Sequence, residues 1–276
     1  MLIDWKNIAL QIYDKIKAKV SMMDKKPTLW AILVWNNSSS LRYINQKRKW
    51  AKYTWINFEL LELSEDITEK KLLKKIESFN KDKNISWYIV QLPLPKHIDE
   101  KNIINAILPE KDIDWFHPEN QGKLLIWDKS WFIPCTPAWI MEIIKSEDID
   151  LVWKVVCVIG RSNIVWKPVT NLLINAWATV ISCNSKTMDL TSYTNKADIV
   201  VVAAWKPNLL KENMLKKWWI VIDVWFTVVD EIIYWDADTV NIDKAWHKVT
   251  PVPGWVWALT VAMLMKNTLK SSKEQQ

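Results

Sequence analysis

Glycine is almost absent from this chain. Only three of its 276 residues are glycine, whereas average glycine usage in proteins is about 7%. Glycine is the residue that accepts a positive φ without a steric clash, so it is favoured in tight turns and just past helix ends. Taken literally, a chain with so few glycines should scarcely fold.

Cysteine and long apolar runs are also scarce. The three cysteines, Cys135, Cys157 and Cys183, are odd in number and lack CxxC spacing, which argues against a disulfide framework or a zinc site and favours buried free thiols. No stretch approaches 18 uninterrupted apolar residues, and the first 20 residues alternate charged and apolar positions at helical spacing. We therefore expect a soluble cytoplasmic protein with no signal peptide, no membrane contact and no metal.

Arginine is rare although the chain is basic. The formal net charge is +6, yet only Arg42, Arg48 and Arg161 are arginines. The lysines are scattered through amphipathic segments such as ITEKKLLKKIESFNKDK, which is typical of a solvated helix face. We therefore do not expect nucleic acid as a partner.

Tryptophan is present in excess, with 21 residues. Trp177 lies between a helical run and a strand, where a helix end favours glycine, and Trp35 follows a strand at a turn. We hypothesise that most of these residues are glycine in the living cell, in an organism that reads UGA as glycine. Positive φ or crowding is then expected at Trp35, Trp166, Trp177 and Trp255. The alternative is a tryptophan-rich module that binds nucleic acid or carbohydrate through indoles on one face.

Strand and helix patterns alternate along the chain once tryptophan is read as glycine, which predicts an α/β fold with mainly parallel strands. The predicted strands are TLWAILV, SWYIVQLPL, KVVCVIG, ATVISC, DIVVVAA and WIVIDV. The predicted helices are SLRYINQKRKWAKYT, ITEKKLLKKIESF, TPAWIMEIIKSE, KPVTNLLINA, KENMLKKW and LTVAMLMKNTLKSSK.

The half of the chain from Val155 onward has the pattern of a dinucleotide-binding unit. A strand ends at Gly160, which permits a tight turn, and Arg161 offers a guanidinium fork to a phosphate. The next predicted strand ends in Asn184, Ser185 and Lys186 rather than in an acidic residue. Neutral and basic groups at this point favour NADP over NAD.

Five ordered motifs carry a resemblance to a known family: VQLPLPKH, KDIDWFHPEN, PCTPAWI, GRSNIVWKP and TPVPGWVWALTVAML. With them, the chain resembles the bifunctional methylenetetrahydrofolate dehydrogenase/methenyltetrahydrofolate cyclohydrolase family over nearly its whole length. The departures from the family motifs are all glycine to tryptophan, at Trp115, Trp139, Trp166, Trp255 and Trp257.

The resemblance implies a folate site. Lys47 matches the lysine of the family's YxxxK motif and would be the acid/base group of the cyclohydrolase step. Tyr43, one helical turn earlier, would pack over the folate, Gln91 would orient the lysine, and Asp114 would accept hydrogen bonds from the pterin ring. The substrate would also contact the PVPG segment, at Pro251 and Gly254.

The resemblance also implies a cofactor site and an activity. Gly160, Arg161, Ser162, Ser185 and Phe226 match NADP contacts. The implied enzyme belongs to one-carbon metabolism. It oxidises 5,10-methylenetetrahydrofolate with NADP and hydrolyses the methenyl product to 10-formyltetrahydrofolate. Apart from NADP, its implied ligands are these tetrahydrofolate derivatives. The family is usually homodimeric, and a homodimer is expected.

The implied division is a folate-binding catalytic domain over residues 1–136 with 259–276, and a Rossmann-type NADP domain over 137–258. A second enzyme hypothesis is a related Rossmann dehydrogenase that acts on shikimate or an amino acid. That hypothesis accounts for the glycine-rich turn but not for VQLPLP, DID and PVPG together.

Overall fold

The computed structural model describes residues 2–35, 38–128, 132–216, 220–224, 226–229, 232–245, 247–250 and 257–273. The chain divides into two compact units: the N-terminal unit, residues 9–135 with 260–276, and the C-terminal unit, residues 1–8 with 136–259. Residues 1–8 were expected in the folate-binding half. In the structure they contact the C-terminal sheet, where Leu2 forms a parallel bridge with Val249 and the Ile3 amide donates to the Val249 carbonyl at 3.0 Å.

The N-terminal unit contains a parallel sheet with strand order β2-β1-β3. The strands are β1 (Thr28–Leu33), β2 (Asn57–Glu62) and β3 (Tyr88–Val90). The helices in this part of the chain are α1 (Trp5–Ser21), α2 (Ser38–Thr54), α3 (Glu69–Lys81), α4 (Glu100–Ala106) and α5 (Pro118–Leu125). Helix α3 begins after Thr68, whose side chain accepts from the Lys71 amide. Its apolar residues recur at helical spacing and pack in the core with β1 and β3.

The C-terminal unit contains a five-stranded parallel sheet with order β10-β7-β6-β4-β5. Its strands are β4 (Val155–Ile159), β5 (Thr179–Cys183), β6 (Ile199–Val202), β7 (Ile220–Asp223) and β10 (Lys248–Val249), and a separate antiparallel hairpin pairs β8 (Phe226–Val229) with β9 (Ile232–Trp235). The helices are α6 (Cys135–Ser146), α7 (Trp166–Asn175), α8 (Leu190–Thr194) and α9 (Thr239–Lys244). The last helix, α10 (Trp257–Lys273), returns to the N-terminal unit from residue 260. Strand order reverses between β4 and β6, the position at which open α/β sheets bind ligands.

The predicted α/β class and parallel sheets are confirmed, and each predicted strand contains an observed one. One helix prediction is wrong over its described residues: in KENMLK, residues 211–216, the structure has only a short 3₁₀ turn, Glu212–Met214. The segment has no glycine or proline that would end a helix, but its Met214 carbonyl accepts a hydrogen bond from the distant Thr194 hydroxyl at 2.6 Å.

Positive φ is concentrated at tryptophan. Of the nine non-glycine residues with positive φ in the described ranges, six are tryptophans, and the others are Asp148, Asp189 and Asn208. The six tryptophans are Trp55, Trp115, Trp127, Trp153, Trp177 and Trp205. Of the four positions named from the sequence, Trp177 has φ 66°, Trp35 and Trp166 are not among the positive-φ residues, and Trp255 lies outside the described residues.

Within the described ranges, no helix is both long and apolar enough to cross a membrane. Over the same ranges, no group of three or more histidine, cysteine, aspartate or glutamate side chains is arranged to hold a metal ion.

Candidate active site

Lys47 is a buried lysine in the middle of α2, with only 7% of its surface exposed. Its Nζ atom donates to Oε1 of Gln91 at 2.9 Å. Gln91 directly follows β3, and its own amide donates to the Ile32 carbonyl of β1 at 2.9 Å, so the sheet fixes the position of the acceptor. Tyr43 is half-buried one turn earlier on α2, and burial raises the pKa of its phenol. The structure therefore brings Lys47 and Gln91 together, with Tyr43 on the same helix face.

Asp114 supplies a negative charge close to Lys47. Burial lowers the pKa of Lys47 from its ordinary value of 10.5, and the charge of Asp114 opposes this shift. Burial likewise raises the pKa of Asp114, while Lys47 and the Cys135 thiol, which donates to Asp114 Oδ1 at 3.9 Å, act in the other direction. A lysine with a lowered pKa gives up its proton more readily than an exposed lysine does, which suits it to general acid–base chemistry.

Asp112 holds the turn that presents Asp114. Its carboxylate accepts from the amides of Trp115 at 3.0 Å and His117 at 2.7 Å, and from Nδ2 of Asn120 at 3.2 Å. Burial raises the pKa of Asp112 to about 6, and the charge of Asp114 adds to this rise, while the three donors oppose it. Asp112, the first aspartate of the DID motif, therefore stabilises the turn, and Asp114, the second, belongs to the candidate site beside Lys47.

Asn267 is a buried residue of α10 that sequence reasoning missed. Its Nδ2 atom donates to the carbonyls of Ile133 at 3.0 Å and Ile113 at 3.4 Å, and lies 3.8 Å from the Cys135 sulfur. The amide therefore ties together the two chain segments that carry Asp114 and Cys135. These residues are more than a hundred positions away along the chain, so no local pattern could have indicated the contact.

The C-terminal unit has a cavity of about 390 Å³ at the carboxyl ends of β4, β5 and β6. Its polar lining comes from the turn after β4, Gly160 to Ser162, from Asn184 and Ser185 after β5, and from Lys206 after β6. The Gly160 amide donates to the Cys183 carbonyl at 2.9 Å. The cationic side chains of Arg161 and Lys206, together with the hydroxyl and amide groups of the lining, suit a ligand that bears phosphates.

The backbone at Gly160 requires glycine. Its φ is 148°, and a Cβ atom there would lie 2.0 Å from Nε1 of Trp166. The Trp166 indole therefore fills the space directly above the turn, and a glycine at position 166 would leave that space to a ligand. The structure brings together Gly160, Arg161, Ser162 and Ser185.

The remaining predicted site residues are less well placed. Phe226 begins β8, but its side chain is outside the described part of the structure. Pro251 and Gly254 lie outside the described residues altogether.

Comparison with known proteins gives a consistent result over both units. A family model described as tetrahydrofolate dehydrogenase/cyclohydrolase, catalytic domain, matches residues 3–114, and the NAD(P)-binding domain of the same family matches residues 134–276. The chain is 44% identical to a bifunctional protein FolD from Nautilia profundicola over 276 residues, which cover 99% of this chain and 97% of the relative.

Solved structures with the same fold include bifunctional FolD from Campylobacter jejuni, with a TM-score of 0.95, 39% identity and coverage of 100% of this chain and 99% of that one. The FolD of Trypanosoma brucei, solved with NADP cofactor and an inhibitor, has a TM-score of 0.93, 32% identity and coverage of 100% and 98%. Shikimate dehydrogenase from Aquifex aeolicus has a TM-score of 0.52 at 14% identity, a likeness of fold alone.

Proposed function

Because the chain belongs to the tetrahydrofolate dehydrogenase/cyclohydrolase family, we propose that its lysine site and its phosphate-suited cavity serve the two reactions of that family. The protein is a bifunctional enzyme. It oxidises 5,10-methylenetetrahydrofolate to the methenyl form with NADP and then hydrolyses that product to 10-formyltetrahydrofolate. The roles of individual residues are the proposal.

Lys47 is the acid/base group of the hydrolytic step in this proposal. Water must lose a proton as it attacks the methenyl carbon, and a buried lysine with a lowered pKa can take or relay that proton. The observation that carries the assignment is the buried hydrogen bond from Lys47 to Gln91, which orients the ammonium group. Asp114 accepts hydrogen bonds from the pterin ring, and Tyr43 packs over it.

NADP is proposed to occupy the cavity beside Gly160, where it accepts the hydride when bound. Gly160 allows close approach of the backbone, Arg161 pairs with the 2′-phosphate, and Ser162 and Ser185 offer hydroxyl groups. Support comes from the chemistry of the lining and from the position of the cavity at the reversal of strand order. Phe226, Pro251 and Gly254 are assigned from the family motifs alone. The proposed domains are residues 1–136 with 259–276 for folate and residues 137–258 for NADP.

We further propose that most of the tryptophans stand at glycine positions, through UGA codons read as glycine. Six of them have positive φ, and the other non-glycine residues with positive φ are aspartate and asparagine, which tolerate that region best. The indole N–H groups of Trp87 and Trp139 are buried without a hydrogen-bond partner, which is costly for a native side chain. UGG codons at these positions would contradict the proposal.

Two further expectations are proposals: a homodimer, implied by the family resemblance, and a cytoplasmic location, inferred from the composition. We propose a homodimer in the cytoplasm. Sedimentation equilibrium of the purified protein tests the first, and a monomeric mass over the working concentration range would contradict it.

The lysine assignment is tested in the glycine-restored protein, defined as the chain with glycine at each tryptophan position whose codon is UGA. Lys47→Met should lower cyclohydrolase turnover by roughly 10² to 10⁴, the contribution of an acid/base group, so that methenyl product accumulates. Dehydrogenase activity should survive better, because hydride transfer needs mainly alignment of the two rings. Gln91→Ala should show a milder version of the same imbalance.

Methenyl absorbance and NADPH formation are followed in parallel. Lys52→Met is the matched control, because Lys52 lies on the same helix with its side chain exposed, and it should leave both activities unchanged. Undiminished conversion of methenyl to formyl product by the Lys47 variant would overturn the assignment.

A further inference from the structure

Asp236 is a fully buried carboxylate outside the residues assigned above, with 0% of its surface exposed. It directly follows β9 and accepts hydrogen bonds from three consecutive backbone amides. The Lys206 amide donates to Oδ1 at 2.7 Å, and the amides of Ala204 and Trp205 donate to Oδ2, the latter at 3.0 Å. Such charge-assisted bonds are among the stronger polar contacts in proteins.

The three amides belong to the loop after β6, which is part of the cavity wall. Ala203, Ala204, Trp205 and Lys206 all line the cavity. For three successive amides to converge on one carboxylate the backbone must curl, and Trp205 at its centre has φ 59°. The shape of this wall therefore depends on an acceptor placed behind it, and Asp236 is that acceptor.

The position of Asp236 is itself fixed by its neighbours. The Leu210 amide donates to the Asp236 carbonyl at 2.9 Å, and the Asn208 amide donates to the Trp235 carbonyl at 2.9 Å. The next residue, Ala237, donates its amide to Oδ2 of Asp223 at 2.7 Å, and Asp223 ends β7. Backbone pairing and the buried Asp223 carboxylate thus fix Asp236 independently of the loop 203–206. Asp236 can therefore determine the conformation of that loop.

We propose that Asp236 is a positioning residue for the dinucleotide, which keeps the loop 203–206 in the shape that leaves the cavity open. The inference rests on the proposed binding of NADP in this cavity. Removal of the carboxylate leaves three adjacent N–H groups without their acceptor, and the loop must reorient to satisfy them. The rearranged loop no longer matches the cofactor, while the lysine site of the N-terminal unit contains none of these residues.

The test uses steady-state kinetics of the glycine-restored protein. Asp236→Ala should raise the KM for NADP by about tenfold or more, as expected for lost charge-assisted bonds, with kcat at saturating NADP much less changed. Asp236→Asn keeps the shape and one acceptor oxygen, so its KM should fall between the parent and the alanine variant. Cyclohydrolase turnover, measured on methenyltetrahydrofolate without cofactor, should be unchanged in both.

Two further variants separate the possible outcomes. Asp238→Asn is the matched control, because Asp238 lies two residues away and its carboxylate accepts from Asn241 of α9; the KM of this variant for NADP should equal that of the parent. Arg161→Ala should weaken NADP binding if NADP occupies the cavity at all.

An effect of Arg161→Ala without an effect of either Asp236 variant would overturn the inference and leave the cavity assignment standing. Normal NADP kinetics in all variants would overturn both. Equal losses of dehydrogenase and cyclohydrolase activity in the asparagine variant would also overturn the inference, because they would indicate general damage to the fold. If the alanine variant does not fold, the asparagine variant alone decides.

Discussion

At the scale of single residues, the chemistry of the lysine site depends on two opposing effects on one ammonium group. Burial disfavours the charged form of Lys47, whereas the Asp114 carboxylate favours it. The lowered pKa of Lys47 is the balance of the two, so removal of the carboxylate should move the pKa in a known direction.

Asp114→Asn should lower the pKa of Lys47 further below 10.5, because the substitution removes the charge that favours the ammonium form while burial remains. The limb of the cyclohydrolase pH profile that reports Lys47 should therefore move to lower pH, whether the amine or the ammonium is the active form. The measurement is kcat against pH at saturating methenyltetrahydrofolate.

Glu119→Gln removes the same charge from an exposed, salt-bridged position on α5 and serves as the control. Its profile should overlay that of the parent. A limb that stays in place or moves to higher pH in the Asp114 variant would refute the electrostatic coupling.

At the scale of elements, α10 contributes Asn267 to the packing beside Asp114. Asn267→Ala should lower the free energy of unfolding by about 1–3 kcal/mol, because the buried carbonyls of Ile113 and Ile133 lose a donor. It should also raise the KM for the folate substrate more than that for NADP, since Ile113 immediately precedes Asp114. Chemical denaturation and steady-state kinetics provide the two readouts.

Asn102→Ala is the comparison, because Asn102 donates to Glu69 at an exposed position of the same unit. A surface change of this kind usually alters stability by less than about 0.5 kcal/mol. If both asparagine variants lose the same stability and keep the same KM for folate, α10 has no role in holding Asp114.

The buried parallel strands could be predicted from sequence because each is a continuous apolar run, such as Val155–Ile159 and Ile199–Val202. Strand β2 (Asn57–Glu62) was not predicted, because it is an edge strand. All of its residues are exposed or partly exposed, and two of them are glutamates, so it is not a continuous apolar run. Helices α4 and α5 were also missed, because they have only seven and eight residues and show little periodicity.

The same distinction applies to the candidate site. Lys47, Gln91 and Asp114 could be named because each lies in a recognisable motif, and the structure brings the lysine and the glutamine into contact. Asn267 and Asp236 act through contacts that span 134 and 30 or more residues. Hydrogen bonds between residues so far apart in the chain cannot be predicted from the spacing of residues within a local segment.

At the scale of the whole molecule, the composition and the backbone point to the same explanation. Trp153 and Trp177 expose 91% and 80% of their surfaces at positive φ, and Trp205 exposes 63% in the loop that Asp236 holds. Indoles in such places gain little burial and strain the backbone by roughly 1–3 kcal/mol each. Glycine relieves the strain at every one of these positions.

The most direct test is the mass of peptides from the protein as its own organism makes it. Tandem mass spectrometry of peptides that span positions 153, 177 and 205 should find glycine at each, because the backbone there has the positive φ that glycine favours. Tryptophan at these three positions in the native protein would contradict the account.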